Sequence, residues 1–247
     1  VGVRAVILAG GYGIRLRMIN PNNLPKPLIL IKDKPIIDYI IPKIQELDVV
    51  KEIIVSTNTT FSDLFNKWLN EKGYSNVKIY LEESTSDEDK PGAIAALSLL
   101  IKKLGKDDYL VIGGDNLFTA SLKDFVKYFQ EKKKPVIAVY DVKDKEKVKE
   151  FSALTLNDEN KVLEFMEKPK EPKSTLVGTC IYIFPKDIIP LLHEYILTSK
   201  VKDQTGKFIE WLIKKVDVYA YKLKGLWWDI GTPETYFEAK AHLQNPD

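Results

Sequence analysis

The sequence predicts an α/β fold with a mostly parallel sheet, on three observations. Residues 5–8, Ala-Val-Ile-Leu, make the unbroken apolar run of a strand covered on both faces. Strand and helix periodicities then alternate as far as residue 140. Beyond it, two strand patterns follow each other directly across Asn157-Asp158-Glu159-Asn160, the composition of a hairpin turn.

After the first strand, apolar residues at helical spacing predict a helix over 36–47, and the apolar triplet Ile53-Ile54-Val55 a strand over 52–56. A helix over 61–69, a strand over 77–81 and a helix over 93–104 complete a βαβαβα series. Next come a strand over 109–112 that ends at Gly113-Gly114-Asp115-Asn116, a helix over 122–132 and a strand over 136–140. The hairpin takes 151–156 and 162–165; strands near 176–184 and 217–222 and helices near 187–198, 208–215 and 233–243 follow. Thr232 is the expected N-cap of the last helix, with Pro233 in its first position. The alternation gives a Rossmann-like three-layer α/β/α arrangement, its sheet mixed but mostly parallel, with a small β-hairpin and helical elaboration. Without a linker in the pattern, residues 1–247 are expected to form one domain.

Composition bounds the function. With 45% hydrophobic and 29% charged residues the chain reads as an ordinary soluble globule, and a net charge of +2 argues against nucleic acid as the main partner. No apolar run approaches the ~20 residues of a membrane span. Cys180 is the single cysteine, so no internal disulfide forms, and with no signal peptide in view a cytoplasmic setting is expected. Cys180 itself, inside an apolar run, is expected in the core.

Chemistry concentrates where the first strand ends. Gly10, Gly11 and Gly13 let backbone N–H groups approach an anion, and two of the three arginines, Arg15 and Arg17, follow at once. Lys26 stands between Pro25 and Pro27, which restrict where it points. A backbone cradle with a guanidinium and an ammonium beside it suits a polyphosphate. The string is neither a P-loop, lacking Gly-Lys-Ser/Thr, nor a dinucleotide fingerprint, lacking the third glycine that opens a helix.

In an open α/β sheet ligands bind at the carboxyl ends of the strands, and two more features fall there: the turn at Gly92 and the carboxylate of Asp115 after two glycines. A second carboxylate, Asp229, lies in the segment Trp-Trp-Asp-Ile-Gly-Thr-Pro. One or two carboxylates with water and phosphate oxygens are the usual protein share of a Mg²⁺ site, so Asp115 and Asp229 fit that role if folding joins them. Glu167-Lys168, after the hairpin, pairs a carboxylate for vicinal hydroxyls with a cation for phosphate; in isolation such a pair is more often a surface ion pair.

AGGYGIRL with PKPL, GGDN, FMEKPKEP, GTCIYIF and WWDIGTPETY, in this order from residue 4 to about 243, resemble the sugar-1-phosphate nucleotidylyltransferases, the NDP-sugar pyrophosphorylases. The resemblance implies an enzyme that condenses an NTP with a sugar 1-phosphate, using Mg²⁺, to give an NDP-sugar and pyrophosphate. It implies that Gly10, Gly11, Gly13 and Arg15 hold the triphosphate, that Lys26 bridges the phosphates of both substrates, and that Asp115 and Asp229 hold the metal. Glu167 would meet the sugar hydroxyls and Lys168 the sugar phosphate, Gly178 would let backbone approach the sugar, and Glu83 and Gly92 match positions near the base. The nucleotide-binding half would span about 1–115 and the sugar-phosphate half about 116–247. Arg15, Lys26, Asp115 and Lys168 are the residues expected to carry catalysis.

Met18 and Asn20 stand where many relatives have a proline and a threonine, and PGAIAAL around Gly92 lacks the usual small hydroxyl residue. The substrates expected are dTTP or UTP with glucose 1-phosphate; GTP with mannose 1-phosphate is the alternative, and a non-catalytic NDP-sugar-binding subunit a second class. Neither nucleic acid nor membrane is expected as a partner, and assembly into a homo-oligomer is left open.

Overall fold

The computed structural model describes residues 2–82 and 91–243. In chain order the strands and helices are β1 (Val3–Leu8), β2 (Leu30–Ile31), β3 (Lys34–Pro35), α1 (Ile36–Gln45), β4 (Val50–Asn58), α2 (Ser62–Lys72) and β5 (Val77–Glu82). The middle of the chain adds α3 (Ala93–Leu104), β6 (Asp108–Gly113), β7 (Asn116–Phe118), α4 (Lys123–Lys132), β8 (Val136–Asp141) and α5 (Lys145–Val148). The remainder is β9 (Ser152–Leu156), β10 (Val162–Glu167), β11 (Leu176–Phe184), α6 (Ile189–Thr198), α7 (Thr205–Leu212), β12 (Tyr219–Lys222), β13 (Trp227–Asp229) and α8 (Pro233–His242).

The main sheet runs β10-β9-β11-β6-β1-β4-β5, with β8 paired to β11 and β12 to β8. β6, β1, β4 and β5 are parallel, whereas β11 is antiparallel to β6, β8 and β9. Because β1 is flanked by β4 and β6, its residues Ala5, Val6 and Ile7 are fully buried, as an unbroken apolar run requires. Side chains alternate between two cores. Ala5 and Ile7 pack toward α1, α2 and α4, and Val6 toward α3, α6 and α7, so helices cover both faces and the layering is α/β/α.

α3 and β11 take the expected limits, and the predicted hairpin is the antiparallel pair β9–β10. α7 begins earlier than its sequence pattern, at Thr205 instead of residue 208, because Gly206 stands within its first turn and reads locally as a breaker. Two small antiparallel pairs, β2–β3 and β7–β13, are absent from the sequence expectation. Runs of two or three residues carry no period, so only their pairing defines them. No helix among the described residues is long and apolar enough to cross a membrane.

Candidate active site

The parallel strands end level with one another: Leu8 pairs with Ser56 and Gly113, and Asn58 with Glu82. The glycine loop leaves β1 over this edge and is tied to β4. Ala9 N–H donates to Ser56 O (2.7 Å), Thr57 Oγ1 donates to Ala9 O and Asn58 Nδ2 to Gly10 O (3.0 Å each). Gly13 has φ of 63°, the left-handed turn that feeds the 3-10 turn Ile14–Leu16 carrying Arg15. Asn20 makes a second turn, accepting from Leu24 N–H (3.0 Å) and donating to Leu24 O (2.7 Å), so its departure from the family pattern builds the approach to Lys26. Met18 is 90% exposed on the outside of that loop and lines neither of the two cavities at the strand ends.

A cavity of about 310 Å³ lies over the strand ends, with Gly10, Gly11, Glu82, Gly92 and Asp115 in its wall. Glu82 is its buried acid: it accepts from Ser56 Oγ (3.0 Å), and burial raises its carboxyl above the ordinary range. Glu83, the acid expected from the sequence, lies outside the described residues. A Cβ on Gly10 would come within 2.7 Å of the Glu82 carboxylate, which explains a glycine there. Gly92 faces a different neighbour: the Lys202 carbonyl, 2.5 Å from where its Cβ would be, accepts the first amides of α3, from Ile94 (3.1 Å) and Ala95 (3.4 Å). That helix start is therefore capped by backbone of the second half of the chain.

The two carboxylates meet through β7 and β13. Asp229 pairs with Asn116, and Ile230 N–H donates to Asp115 O (2.9 Å). Asn116 staples the junction, its Oδ1 accepting from Trp227 Nε1 (2.9 Å) and Cys180 N–H (3.3 Å). Lys26 Nζ donates to Asp115 Oδ2 at 2.8 Å. Burial alone would depress the Lys26 ammonium, but Asp115, by charge and hydrogen bond, and Asp229 leave it above its ordinary value. Burial and the Asp115 charge push the Asp229 carboxyl up to about 7, against the pull of Lys26, Arg15 and Lys168. Two hard-oxygen side chains that crowd negative charge into one pocket form a donor set suited to Mg²⁺. Among the described residues no cluster of three or more His, Cys, Asp or Glu offers a larger cage.

A second cavity of about 660 Å³ opens on the other side of Asp229 and contains Arg15, Ser152, Glu167, Lys168 and Gly178. Lys168 follows the last residue of β10 at φ of 46°, an uncommon conformation for a lysine, held by its N–H donating to Phe151 O (2.8 Å). The two cavities share Cys180, Asp203, Thr205 and Asp229. Cys180 is thus half-buried in that shared wall, packed against the core and with its Sγ 3.8 Å from Thr205 Oγ1 of α7. Burial and Asp115 push its thiol up to about 12, which keeps it protonated.

Folding therefore gathers Arg15, Lys26, Asp115, Lys168 and Asp229 into one charge cluster and puts Gly10, Gly11 and Gly92 on one side and Glu167 and Gly178 on the other. Gly13 sits behind Lys26, its Cβ position 3.2 Å from Lys26 Cγ. Sequence reasoning missed Glu82, Ser152 and the segment from Asp203 to Gly206. The glycine in α7 is the signal that could have found the last, since a helical glycine marks close approach of another group.

The sequence profile of the family described as nucleotidyl transferase matches residues 4–246. The bifunctional protein GlmU of Methanocaldococcus jannaschii is 35% identical over 97% of this chain and 54% of its own length. The chain spans about half the length of the curated GlmU relatives it matches. The UTP–glucose-1-phosphate uridylyltransferase AglF of Haloferax volcanii is 26% identical over 98% of this chain and 97% of its own. Among solved structures, a UDP-glucose pyrophosphorylase from Acinetobacter baumanii shares the fold with a TM-score of 0.80 at 20% identity, covering 100% of this chain and 95% of that one. By a match along nearly its whole length, this chain belongs to the nucleotidyl transferase family.

Proposed function

We propose that the protein transfers a nucleotidyl group from an NTP to a sugar 1-phosphate, giving an NDP-sugar and pyrophosphate. One observation carries the reading: two cavities of different chemistry share a wall at Asp229, with the Lys26–Asp115 pair beside it. In the first, the Ala9 and Gly10 carbonyls are taken by Thr57 and Asn58 and the Ala9 amide by Ser56 O, so a triphosphate would meet the amides of the glycines beyond. In the second, Lys168 and Arg15 meet the sugar phosphate and Glu167 the hydroxyls. The first cavity draws mainly on the half about 1–115 and the second on the half about 116–247, with Arg15, Asp203 and Asp229 crossing between them.

A phosphate oxygen of the sugar 1-phosphate forms the new bond to the α-phosphorus as the bond to the β-phosphate oxygen breaks, and pyrophosphate leaves with that electron pair. The nucleophile is already an anion, so no side-chain base is required. The task of this chain is alignment and charge. Lys26 and Arg15 carry fixed positive charge at the junction where both phosphates converge. Asp115 and Asp229 would hold Mg²⁺, which supplies further positive charge against the phosphate oxygens.

Glu82 bears on the base. As a neutral carboxyl it would accept the N3–H of uracil or thymine and donate to a ring carbonyl; UTP or dTTP with glucose 1-phosphate is the first reading, in keeping with AglF. As a carboxylate it would accept from the paired donors of guanine, and this favours GTP with mannose 1-phosphate as the second. Pyrophosphate release measured over the NTPs against several hexose 1-phosphates, with Mg²⁺ and with EDTA, tests the proposal. Release confined to one base and abolished by EDTA is expected; no release in any combination overturns it and leaves an NDP-sugar-binding subunit.

A further inference from the structure

The second cavity has a wall whose register the proposed reaction has not used. Glu167 of β10 pairs with Ser152 of β9, and Ser152 pairs with Gly178 of β11, so the three lie in one row across three adjacent strands. Paired residues face the same side of a sheet, and all three line this cavity. The row thus passes from a carboxylate through a hydroxyl to bare backbone. Ser152 is buried, and its Oγ donates to Glu167 Oε2. Gly206, in the first turn of α7, closes the row from above: a Cβ on it would overlap both the Glu167 carboxylate and the Ser152 hydroxyl.

A serine hydroxyl has one proton, and here it goes to Glu167, so Ser152 Oγ has only lone pairs to present. A carboxylate likewise only accepts. We propose that Ser152 and Glu167 act as one acceptor pair that reads two neighbouring hydroxyls of the sugar, with Ser152 positioning the Glu167 carboxylate. This rests on the sugar-phosphate reading of the cavity. It narrows the substrate class: a vicinal diol supplies the two protons the pair needs, whereas a sugar that lacks a donor at either position leaves one acceptor unpaired. The specificity is then against deoxy sugar 1-phosphates at these two positions.

The test compares wild type with Ser152→Ala and Ser152→Thr on glucose 1-phosphate and its 2-deoxy and 3-deoxy analogues, with the best NTP held saturating. Ser152→Ala should raise KM for glucose 1-phosphate about tenfold, the scale of one lost hydrogen bond to a charged group, with kcat and the KM for NTP within about twofold. At least one deoxy analogue should be used equally well by wild type and Ser152→Ala, since the deleted hydroxyl has lost its acceptor in both. Ser152→Thr, which keeps the hydroxyl, should restore most of the loss. Three results overturn the inference: unchanged KM in Ser152→Ala, an equal loss on every analogue and on NTP, which marks a purely structural clamp, or a wild-type KM for both deoxy analogues equal to that for glucose 1-phosphate. Wild type inactive on every sugar phosphate overturns the activity reading itself, and the inference with it.

Discussion

Replacing Gly92 with alanine tests how the two cavities are joined. Gly92 precedes α3 at φ of 85° and ψ of 152°, a region essentially reserved for glycine, where an alanine costs about 1–3 kcal/mol. The new Cβ would stand 2.5 Å from Lys202 O, 2.7 Å from Lys202 C and 2.9 Å from Asp203 Cα. All three are backbone atoms, so no side chain can swing away. If the 202–203 segment retreats, the carbonyl loses the Ile94 and Ala95 amides, at about 0.5–1.5 kcal/mol each. The total, about 2–6 kcal/mol, corresponds at this chain length to a Tm lower by roughly 4–24 °C. Because Asp203 lines both cavities, KM for NTP and for sugar phosphate should rise together. Gly11→Ala is the counterpart: nothing lies within 4 Å of its Cβ position, yet it lines the first cavity. Its Tm should stay within about 1 °C of wild type while KM for NTP rises alone. Thermal melts of both variants with steady-state kinetics decide the matter; a Gly92→Ala protein that melts with wild type, or a Gly11→Ala protein that loses as much, refutes the reasoning.

Asp115→Asn and Asp229→Asn should each cut Mg²⁺-dependent pyrophosphate release by about a hundredfold or more with the near-UV circular dichroism retained; near-wild-type turnover in both would remove the metal assignment. Lys168→Ala should raise KM for the sugar phosphate and leave that for NTP alone, and the reverse pattern would reassign the residue. His193 gives a pH effect away from the site. Its Nδ1 lies 2.8 Å from Ser98 Oγ between α6 and α3, and burial, then Lys102, lower its pKa below 6.5. A depressed folded pKa means stability that is present above the unfolded value and lost as pH falls through the folded one. The Tm difference between pH 7.5 and pH 5 should therefore shrink in His193→Gln, and the imidazole resonance of His193 should titrate below that of an unfolded control.

Most elements were legible because apolar periodicity and glycine punctuation agree; α3, bounded by Gly92 and Gly105, was readable to the residue. The site was legible as chemistry but not as geometry. Asp115 and Asp229 are recognisable by their glycine and aromatic neighbours, yet their meeting depends on β7 and β13, too short to leave a pattern. Glu82, at the end of β5, reaches the cavity without having been singled out in the sequence, where only its expected neighbour Glu83, outside the described residues, stood out by its motif position. Ser152 gave no local signal, since its meaning lies in its register with Glu167 and Gly178 on two other strands. Asn20, a departure from the family pattern, proved to be a turn-forming amide.

The β7–β13 pair has a consequence for how the protein comes into being. β1, β4, β5 and β6 are complete once residue 113 has been made, and the glycine loop with them, but Asp229 belongs to the last strand to be synthesised. Closing so distant a contact is entropically late, and it rests on the β7–β13 ladder, on Thr119 with Leu226 and on Asn116 with the Trp227 indole. A nascent or refolding chain would thus hold the glycine loop before either cavity is walled, since Cys180, Asp203, Thr205 and Asp229 belong to both. The docking of the Trp227 indole on Asn116 would mark the moment the two carboxylates meet.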